Sequence, residues 1–206
     1  MYRLLRFLVL PFFKLFYMPK IKGRENLPKD GNYVIVCNHF GKADAFVLVS
    51  LYKQKIYFMA KKEWFSSKFK AKLFNCVGAI PVDREKADFT SVKKCIDVLK
   101  RGDLLVIFPE GTRNKVNDDL QEIKGGAGMI AFLSKVPVVP VALKRKFKAF
   151  RKNELYIGKP FDYSEFYGRK LNSALDETLT EKMRENLQYT VDVAQGKITA
   201  ENENCK

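Results

Sequence analysis

The sequence contains a single histidine, and an aspartate follows it at a spacing suited to acid–base chemistry. His39 lies in the stretch NHFGKAD, with Asp44 five positions later. A neutral imidazole, with a pKa near ~6.5, can take a proton from an alcohol, while a carboxylate on its other nitrogen fixes the tautomer. Residues 32–37 have the pattern of a buried strand and residues 43–52 that of a helix. The pair is therefore predicted at a strand-to-helix turn, where catalytic groups are commonly exposed. The alternative is a hydrogen-bonded turn histidine without a catalytic role.

Two more polar loops follow predicted strands. The guanidinium of Arg84 could match phosphate oxygens at one strand end, or it could belong to a solvated turn. The second loop, PEGTRN at residues 109–114, follows the most hydrophobic predicted strand, LLVIF. There Gly111 would allow close backbone approach to a ligand, and Glu110 could accept a hydrogen bond from a hydroxyl. This loop resembles a site for a small polyol phosphate.

Net charge and cysteine usage narrow the class of protein. The charge is +15, with 38 Lys and Arg against 23 Asp and Glu, which implies an anionic partner: nucleic acid, an anionic lipid surface or a phosphorylated substrate. The cysteines form no C-x-x-C pair, which argues against a zinc site or a disulfide framework and favours a reduced, cytosolic setting. Cys37, two residues before His39, is predicted to be a buried small hydrophobic residue rather than a nucleophile.

The N-terminal segment, residues 1–20, is predicted to be amphipathic, helical and membrane-associating. It is apolar and aromatic but carries Arg3, Arg6 and Lys14. Its apolar part would span only about 22 Å, with a proline inside, which is less than the ~30 Å of a bilayer core. We therefore expect it to lie in the membrane interface, as one helix or two. The alternatives are a signal peptide, although no small-residue cleavage site follows, or a helix packed on the protein's own core.

A second basic and aromatic helix is predicted over residues 61–74. Phe65, Phe69 and Leu73 recur there at helical spacing among five lysines, with Trp64 beside them. Such an apolar stripe either packs on the core or contacts a membrane.

The remaining pattern predicts an α/β fold, with a mostly parallel central sheet flanked by helices in one domain over residues 21–206. The glycine-rich stretch at residues 124–128 lacks the order of a phosphate-binding P-loop, so tight helix packing is predicted there. Leu175, Leu179, Met183 and Leu187 predict a long amphipathic helix to about residue 195. Further strands are predicted at residues 55–60, 77–82, 104–108, 136–143 and 153–157, and a further helix at residues 88–100.

Four stretches together resemble the sequence blocks of a known family, the glycerolipid acyltransferases of the 1-acylglycerol-3-phosphate acyltransferase type. They occur in the family's order and cover roughly residues 22 to 160: NHFGKAD (38–44), GAIPVDR (78–84), FPEGTRN (108–114) and VPVVPVAL (136–143). The resemblance implies that His39 is the general base and Asp44 its orienting partner. The substrate-binding residues that it implies are Arg84, Glu110, Gly111, Thr112 and Arg113.

The resemblance also implies a reaction and its partners. An acyl group would pass from an acyl-CoA or acyl-carrier-protein thioester, as co-substrate, to the sn-2 hydroxyl of 1-acyl-sn-glycerol 3-phosphate (lysophosphatidic acid), giving phosphatidic acid. No cofactor, metal ion or acyl-enzyme is needed, and the expected place is the cytoplasmic face of the cell membrane, as a peripheral or monotopic protein on an anionic surface. Backbone N–H groups near Gly41 are suggested as oxyanion donors.

Other functions stay open at this point. Glycerol-3-phosphate acyltransferases resemble one another in having E-G-G-R-S-R where this chain has EGTRN, which favours the lysophosphatidate step over that earlier one. Another lysophospholipid or glycerol-phosphate acceptor is an alternative. A non-catalytic basic protein that binds membranes or nucleic acid is a more remote one. Nucleic acid is not expected as a partner, because the basic residues are spread over the chain without a recognisable motif.

Overall fold

The computed structural model of the protein describes residues 11–52, 54–83 and 88–200. Its centre is a seven-stranded sheet in the order β1-β7-β6-β2-β5-β3-β4. All neighbouring strands run parallel except β6 and β7, which pair antiparallel. The strands are β1 (Pro19–Lys22), β2 (Val34–Cys37), β3 (Ile56–Lys61), β4 (Ala79–Val82), β5 (Leu104–Ile107), β6 (Val138–Leu143) and β7 (Asn153–Ile157). The predicted mostly parallel α/β sheet is confirmed.

Helices cover both faces of this sheet, so that the central strands β2, β5 and β6 are buried on both sides. One apolar cluster joins α2 to the sheet, with Phe13 of α1 and Phe74 of α3 packed against it. The opposite cluster joins α4, α5 and α6 to the sheet. The helices are α1 (residues 11–17), α2 (Ala43–Leu51), α3 (Lys68–Cys76), α4 (Phe89–Lys100), α5 (Ala127–Ser134) and α6 (Ser173–Gln195).

The glycine-rich stretch takes part in tight helix packing, as predicted, and its partner is the long C-terminal helix. The predicted apolar positions of α6 are all buried: Leu175, Leu179, Met183 and Leu187. A Cβ on Gly128 of α5 would lie 2.9 Å from Cβ of Leu179, closer than real Cβ atoms come. The glycine therefore allows α5 and α6 to approach closely.

Residues 61–74 do not form the single helix that their apolar spacing predicts. A short 3-10 helix, Lys62–Phe65, comes first. The side chain of Ser67 then accepts a hydrogen bond from the N–H of Lys70 and starts α3 as its N-cap. Two serines between the apolar positions thus divide the segment, because a serine at an N-cap satisfies a free helical N–H group.

The predicted N-terminal segment lies partly outside the described residues. Within its described part, residues 11–17 are helical, and β1 already begins at Pro19. The N–H of Phe150 donates to the carbonyl oxygen of Phe16 at 2.6 Å, and β1 pairs with β7. No helix among the described residues combines the length and apolar character needed to cross a membrane.

Candidate active site

His39 and Asp44 form a hydrogen-bonded pair at the carboxyl end of β2. His39 lies two residues after this strand, and Asp44 lies in the first turn of α2. Nδ1 of His39 is 2.9 Å from Oδ2 of Asp44. The Asp44 side chain is fully buried, whereas 15% of the His39 side chain is exposed. The turn thus buries the carboxylate and leaves the imidazole accessible.

The loop between the two residues wraps around the carboxylate. Oδ2 of Asp44 also accepts hydrogen bonds from the backbone N–H groups of Phe40 and Gly41, both at 2.7 Å. Since an ionised carboxylate only accepts, the proton of a neutral His39 lies on Nδ1, and Nε2 carries the lone pair that a general base needs. The suggestion of oxyanion donors near Gly41 is wrong for the N–H groups of Phe40 and Gly41, because both are already engaged by Asp44.

Glu110 holds the backbone of His39 from the loop that follows the neighbouring strand β5. Its Oε1 accepts from the N–H of His39 at 2.7 Å, and its Oε2 accepts from the N–H of Gln121 at 3.3 Å. Only 2% of Glu110 is exposed. Burial raises the pKa of its carboxyl above the ordinary value, and the two backbone N–H donors oppose that rise. In this structure, therefore, Glu110 orders the loop that carries His39, and its direct role in substrate binding stays a prediction.

Three residues that support the site were given no role on sequence grounds. The amide of Asn38 is buried and bonds both the N–H and the carbonyl of Leu143, at 2.8 and 3.0 Å. The N–H of Asn114 donates to the carbonyl oxygen of His39 at 2.7 Å. The ring of Phe108 lies against the imidazole. All three residues belong to the sequence blocks that resemble the acyltransferase family, and this membership could have indicated a role. Their contacts join different strands, however, and these contacts cannot be read from the sequence.

A cavity of about 770 Å³ opens beside His39 on the α1–α3 side of the sheet. Apolar side chains from α2, β3 and α3 form much of its wall, and basic side chains lie among them. The apolar lining residues include Phe46, Phe58, Met59, Trp64, Phe74 and Phe108, and the basic ones are Lys42, Lys61, Lys70, Arg113 and Lys115. Such a lining suits a ligand with both an acyl chain and an anionic group.

The structure brings most of the predicted site residues together. Thr112 and Arg113 line the same cavity as His39. Gly111 has a φ of 67°, and a Cβ there would come 2.9 Å from the Lys124 side chain, so the turn favours glycine. Arg84 lies outside the described residues.

Cys37 takes the structural role predicted for it. It is completely buried in the apolar cluster under α2. Burial raises the pKa of its thiol well above the ordinary value, with the nearby carboxylates of Asp44 and Glu110 adding to the rise. The thiolate needed for nucleophilic attack is therefore disfavoured.

Comparison with known proteins assigns the chain to a family. The acyltransferase family model matches residues 19–144, which is more than half of the chain. The chain belongs to the acyltransferase family. The match includes His39, Asp44 and the whole 109–114 loop. Among the described residues of this acyltransferase, no group of three His, Cys, Asp or Glu side chains could hold a metal ion.

Curated relatives support the same assignment. The acyltransferase is 36% identical over 176 residues to the 1-acyl-sn-glycerol-3-phosphate acyltransferase of Bacillus subtilis (strain 168), covering 81% of this chain and 86% of the relative. It is 30% identical over 167 residues to the protein of the same name from Streptococcus pneumoniae (strain ATCC BAA-255 / R6), covering 78% of this chain and 61% of that one. It is therefore an enzyme.

A solved structure shares the fold. The crystal structure of PlsC, the 1-acyl-sn-glycerophosphate (LPA) acyltransferase of Thermotoga maritima, is similar with a TM-score of 0.62 and 24% sequence identity. The similarity covers 91% of this acyltransferase and 81% of that chain. At this level of identity the likeness establishes the common α/β architecture.

Proposed function

We propose that this acyltransferase moves a fatty acyl group from an acyl thioester to the sn-2 hydroxyl of 1-acyl-sn-glycerol 3-phosphate, giving phosphatidic acid. The observation that carries the proposal is the contact between Nδ1 of His39 and Oδ2 of Asp44 beside a cavity with apolar and basic walls. The names of the curated relatives support the choice of acceptor.

The reaction needs one proton acceptor and one ternary complex. Nε2 of His39 takes the proton of the sn-2 hydroxyl as its oxygen attacks the thioester carbonyl carbon. Asp44 stabilises the resulting imidazolium through Nδ1. When the tetrahedral intermediate collapses, the carbon–sulfur bond breaks, and the imidazolium returns its proton to the departing thiolate. An ester and a free thiol leave the site, and no acyl-enzyme forms.

The cavity lining suggests where the two substrates bind. The guanidinium of Arg113 would pair with the acceptor phosphate, assisted by Arg84 as the family resemblance implies. Lys42 and Lys115 are further cations that line the cavity with His39, and they would neutralise other anionic groups of the acceptor or donor. The apolar wall from Phe58 and its neighbours would hold an acyl chain. Acyl-CoA and the acyl-carrier-protein thioester are both donors of the required class.

The substrates also suggest where the enzyme works. Lysophosphatidic acid and phosphatidic acid are membrane lipids, so we propose a peripheral or monotopic enzyme at the cytoplasmic face of the cell membrane. The predicted N-terminal amphipathic segment would provide one contact, since Phe12 and Leu15 of α1 are 63% and 70% exposed.

The test is acceptor-dependent thiol release by the detergent-purified full chain, with palmitoyl-coenzyme A and a palmitoyl carrier protein as alternative donors. We expect release on adding lysophosphatidic acid and its loss in a folded His39→Ala variant. Release that survives His39→Ala would overturn His39 as the base. Release with another lysophospholipid but not with lysophosphatidic acid would overturn the proposed acceptor. No release with either donor would overturn the proposed reaction.

A further inference from the structure

The outer face of α3 carries apolar side chains that the fold does not use. Phe69 is 78% exposed and Leu73 is 46% exposed, and α3 has no buried residue. Positions four apart lie on the same side of a helix. The inner side is formed by Phe74, whose ring packs against the rings of Trp64 and Phe65 at 5.5 and 5.4 Å. The helix is therefore docked on the protein through Phe74, and Phe69 and Leu73 are left facing outward.

The polar residues of α3 have one sign of charge. Lys68, Lys70 and Lys72 lie along this helix, which contains no acidic residue. At 100° per residue, the lysines flank the direction of Phe69 and Leu73 on both sides. An apolar stripe bordered by lysines is the pattern of a helix that lies in a membrane interface.

The helix also stands at the border of the catalytic cavity. Lys70 and Phe74 line the cavity from α3. On another part of the wall, Phe46 lines the cavity and stacks on Phe13 of α1, with ring centroids 5.1 Å apart. Both α1 and α3 pack on the same face of the sheet, so a lipid surface that contacts both would adjoin the cavity.

We propose that α3 is a membrane-contacting helix in addition to the N-terminal segment, with Phe69 and Leu73 inserted at the acyl boundary of an anionic bilayer. Lys68 and Lys72 then lie at the lipid phosphates, where each basic residue favours binding. A second copy of the chain fits this face poorly, because it would bring like charges together in a protein of net charge +15. The inference goes beyond the proposed reaction, since vesicle binding requires no turnover.

The protein carries its own reporter of this contact. Trp64 is the single tryptophan, it is 39% exposed, and its ring packs on Phe74 of α3. The full chain is mixed with vesicles of phosphatidylcholine and phosphatidylglycerol, some made with lipids brominated near the top of the acyl chain. We expect a blue shift of the Trp64 emission and quenching by the brominated lipids. A protein that does not bind the vesicles would overturn the proposal.

Matched surface variants make the test specific to α3. The double substitution Phe69→Ser with Leu73→Ser is expected to lower the vesicle partition coefficient by about tenfold, since it removes the inserted apolar area. Phe89→Ser is the control, because Phe89 is 76% exposed on α4, across the sheet. An unchanged partition in the double variant, or an equal fall in the control, would overturn the assignment. Thiol release by the unsubstituted protein in detergent tests the proposed reaction separately.

Discussion

The imidazole of His39 lies nearly parallel to the ring of Phe108, with ring centroids 4.0 Å apart and planes inclined by 23°. Phe108 directly follows β5, and β5 is the parallel neighbour of β2, which leads to His39. Phe108 therefore covers one face of the imidazole while Asp44 holds its Nδ1 edge. The orientation of the His39 imidazole is set by the ends of two adjacent strands.

Replacing Asp44 by Asn tests the role of the carboxylate. The amide oxygen can take the place of Oδ2 and still accept from Nδ1, Phe40 and Gly41, but it carries no negative charge to stabilise the imidazolium. We expect kcat to fall by about 10³-fold with a small change in KM. Steady-state thiol release measures both constants. Asp97→Asn, at an exposed position of α4, is the control. A kcat within tenfold of the unsubstituted enzyme for Asp44→Asn would contradict the proposed stabilisation of the imidazolium by the carboxylate.

Glu110 predicts a pH-dependent contribution to stability. Burial raises the pKa of its carboxyl, so the folded protein holds this proton more tightly than the unfolded chain does. The contribution is fully present below the pKa of glutamate in the unfolded chain and is lost as the pH rises through the raised value. The free energy of unfolding should therefore decline across this window in the unsubstituted protein, relative to Glu110→Gln.

Urea denaturation of the two proteins at a series of pH values measures that difference. Glu177→Gln, at an exposed position of α6, should follow the unsubstituted protein. A difference that is constant or grows as the pH rises would show that Glu110 does not titrate in this way.

The contact between His39 and Asp44 could be predicted from the sequence because it is local. His39 and Asp44 are five residues apart on one turn, and the apolar runs on either side define a strand and a helix. The interaction of Glu110 with the backbone of His39 could not be predicted in the same way. It depends on β2 and β5 being neighbours, and strand order is a property of the whole sheet.

The orientation of α3 is another feature that could not be predicted from the sequence. Periodicity shows that Phe69 and Leu73 share a face, but a 9-residue helix does not itself show whether that face meets the core. Phe74 and the ring of Trp64 pack together on the inner side of α3, so the face with Phe69 and Leu73 points outward. The packing of neighbouring aromatic residues therefore determines which face of α3 is exposed, and the sequence pattern did not.

Arg113 should contribute to binding of the acceptor phosphate. Arg113→Gln would remove the charge-assisted hydrogen bond proposed for this residue, and we expect the KM for lysophosphatidic acid to rise by about tenfold or more, with a smaller effect on kcat. Arg145→Gln, which removes a charge at an exposed position outside the cavity lining, should leave both constants within about twofold. A KM that rises for the acyl donor alone would assign Arg113 to the donor site instead.

Gly128 should be intolerant of a methyl group because α6 lies against it. A methyl group at this position would press on Cβ and the backbone of Leu179, so we expect Gly128→Ala to lower the free energy of unfolding by about 1–3 kcal/mol through overpacking. Urea denaturation of the two proteins measures this cost, and an unchanged free energy of unfolding would contradict the close approach of α6 to Gly128.

The pairing of β1 with β7 determines when the N-terminal part of the protein can be fixed during synthesis. Pro19 is aligned with Asn153, and the carbonyl oxygen of Phe16 accepts a hydrogen bond from the N–H of Phe150. Both contacts therefore need residues 150–153, which leave the ribosome much later than residues 16–19. Since β1 lies at the sheet edge, β7 is its one neighbour in the order of strands. The turn at His39 and the central strands β2, β5 and β6 are translated before this edge can close. The strands around His39 are therefore available for folding before β7 can fix β1 at the sheet edge.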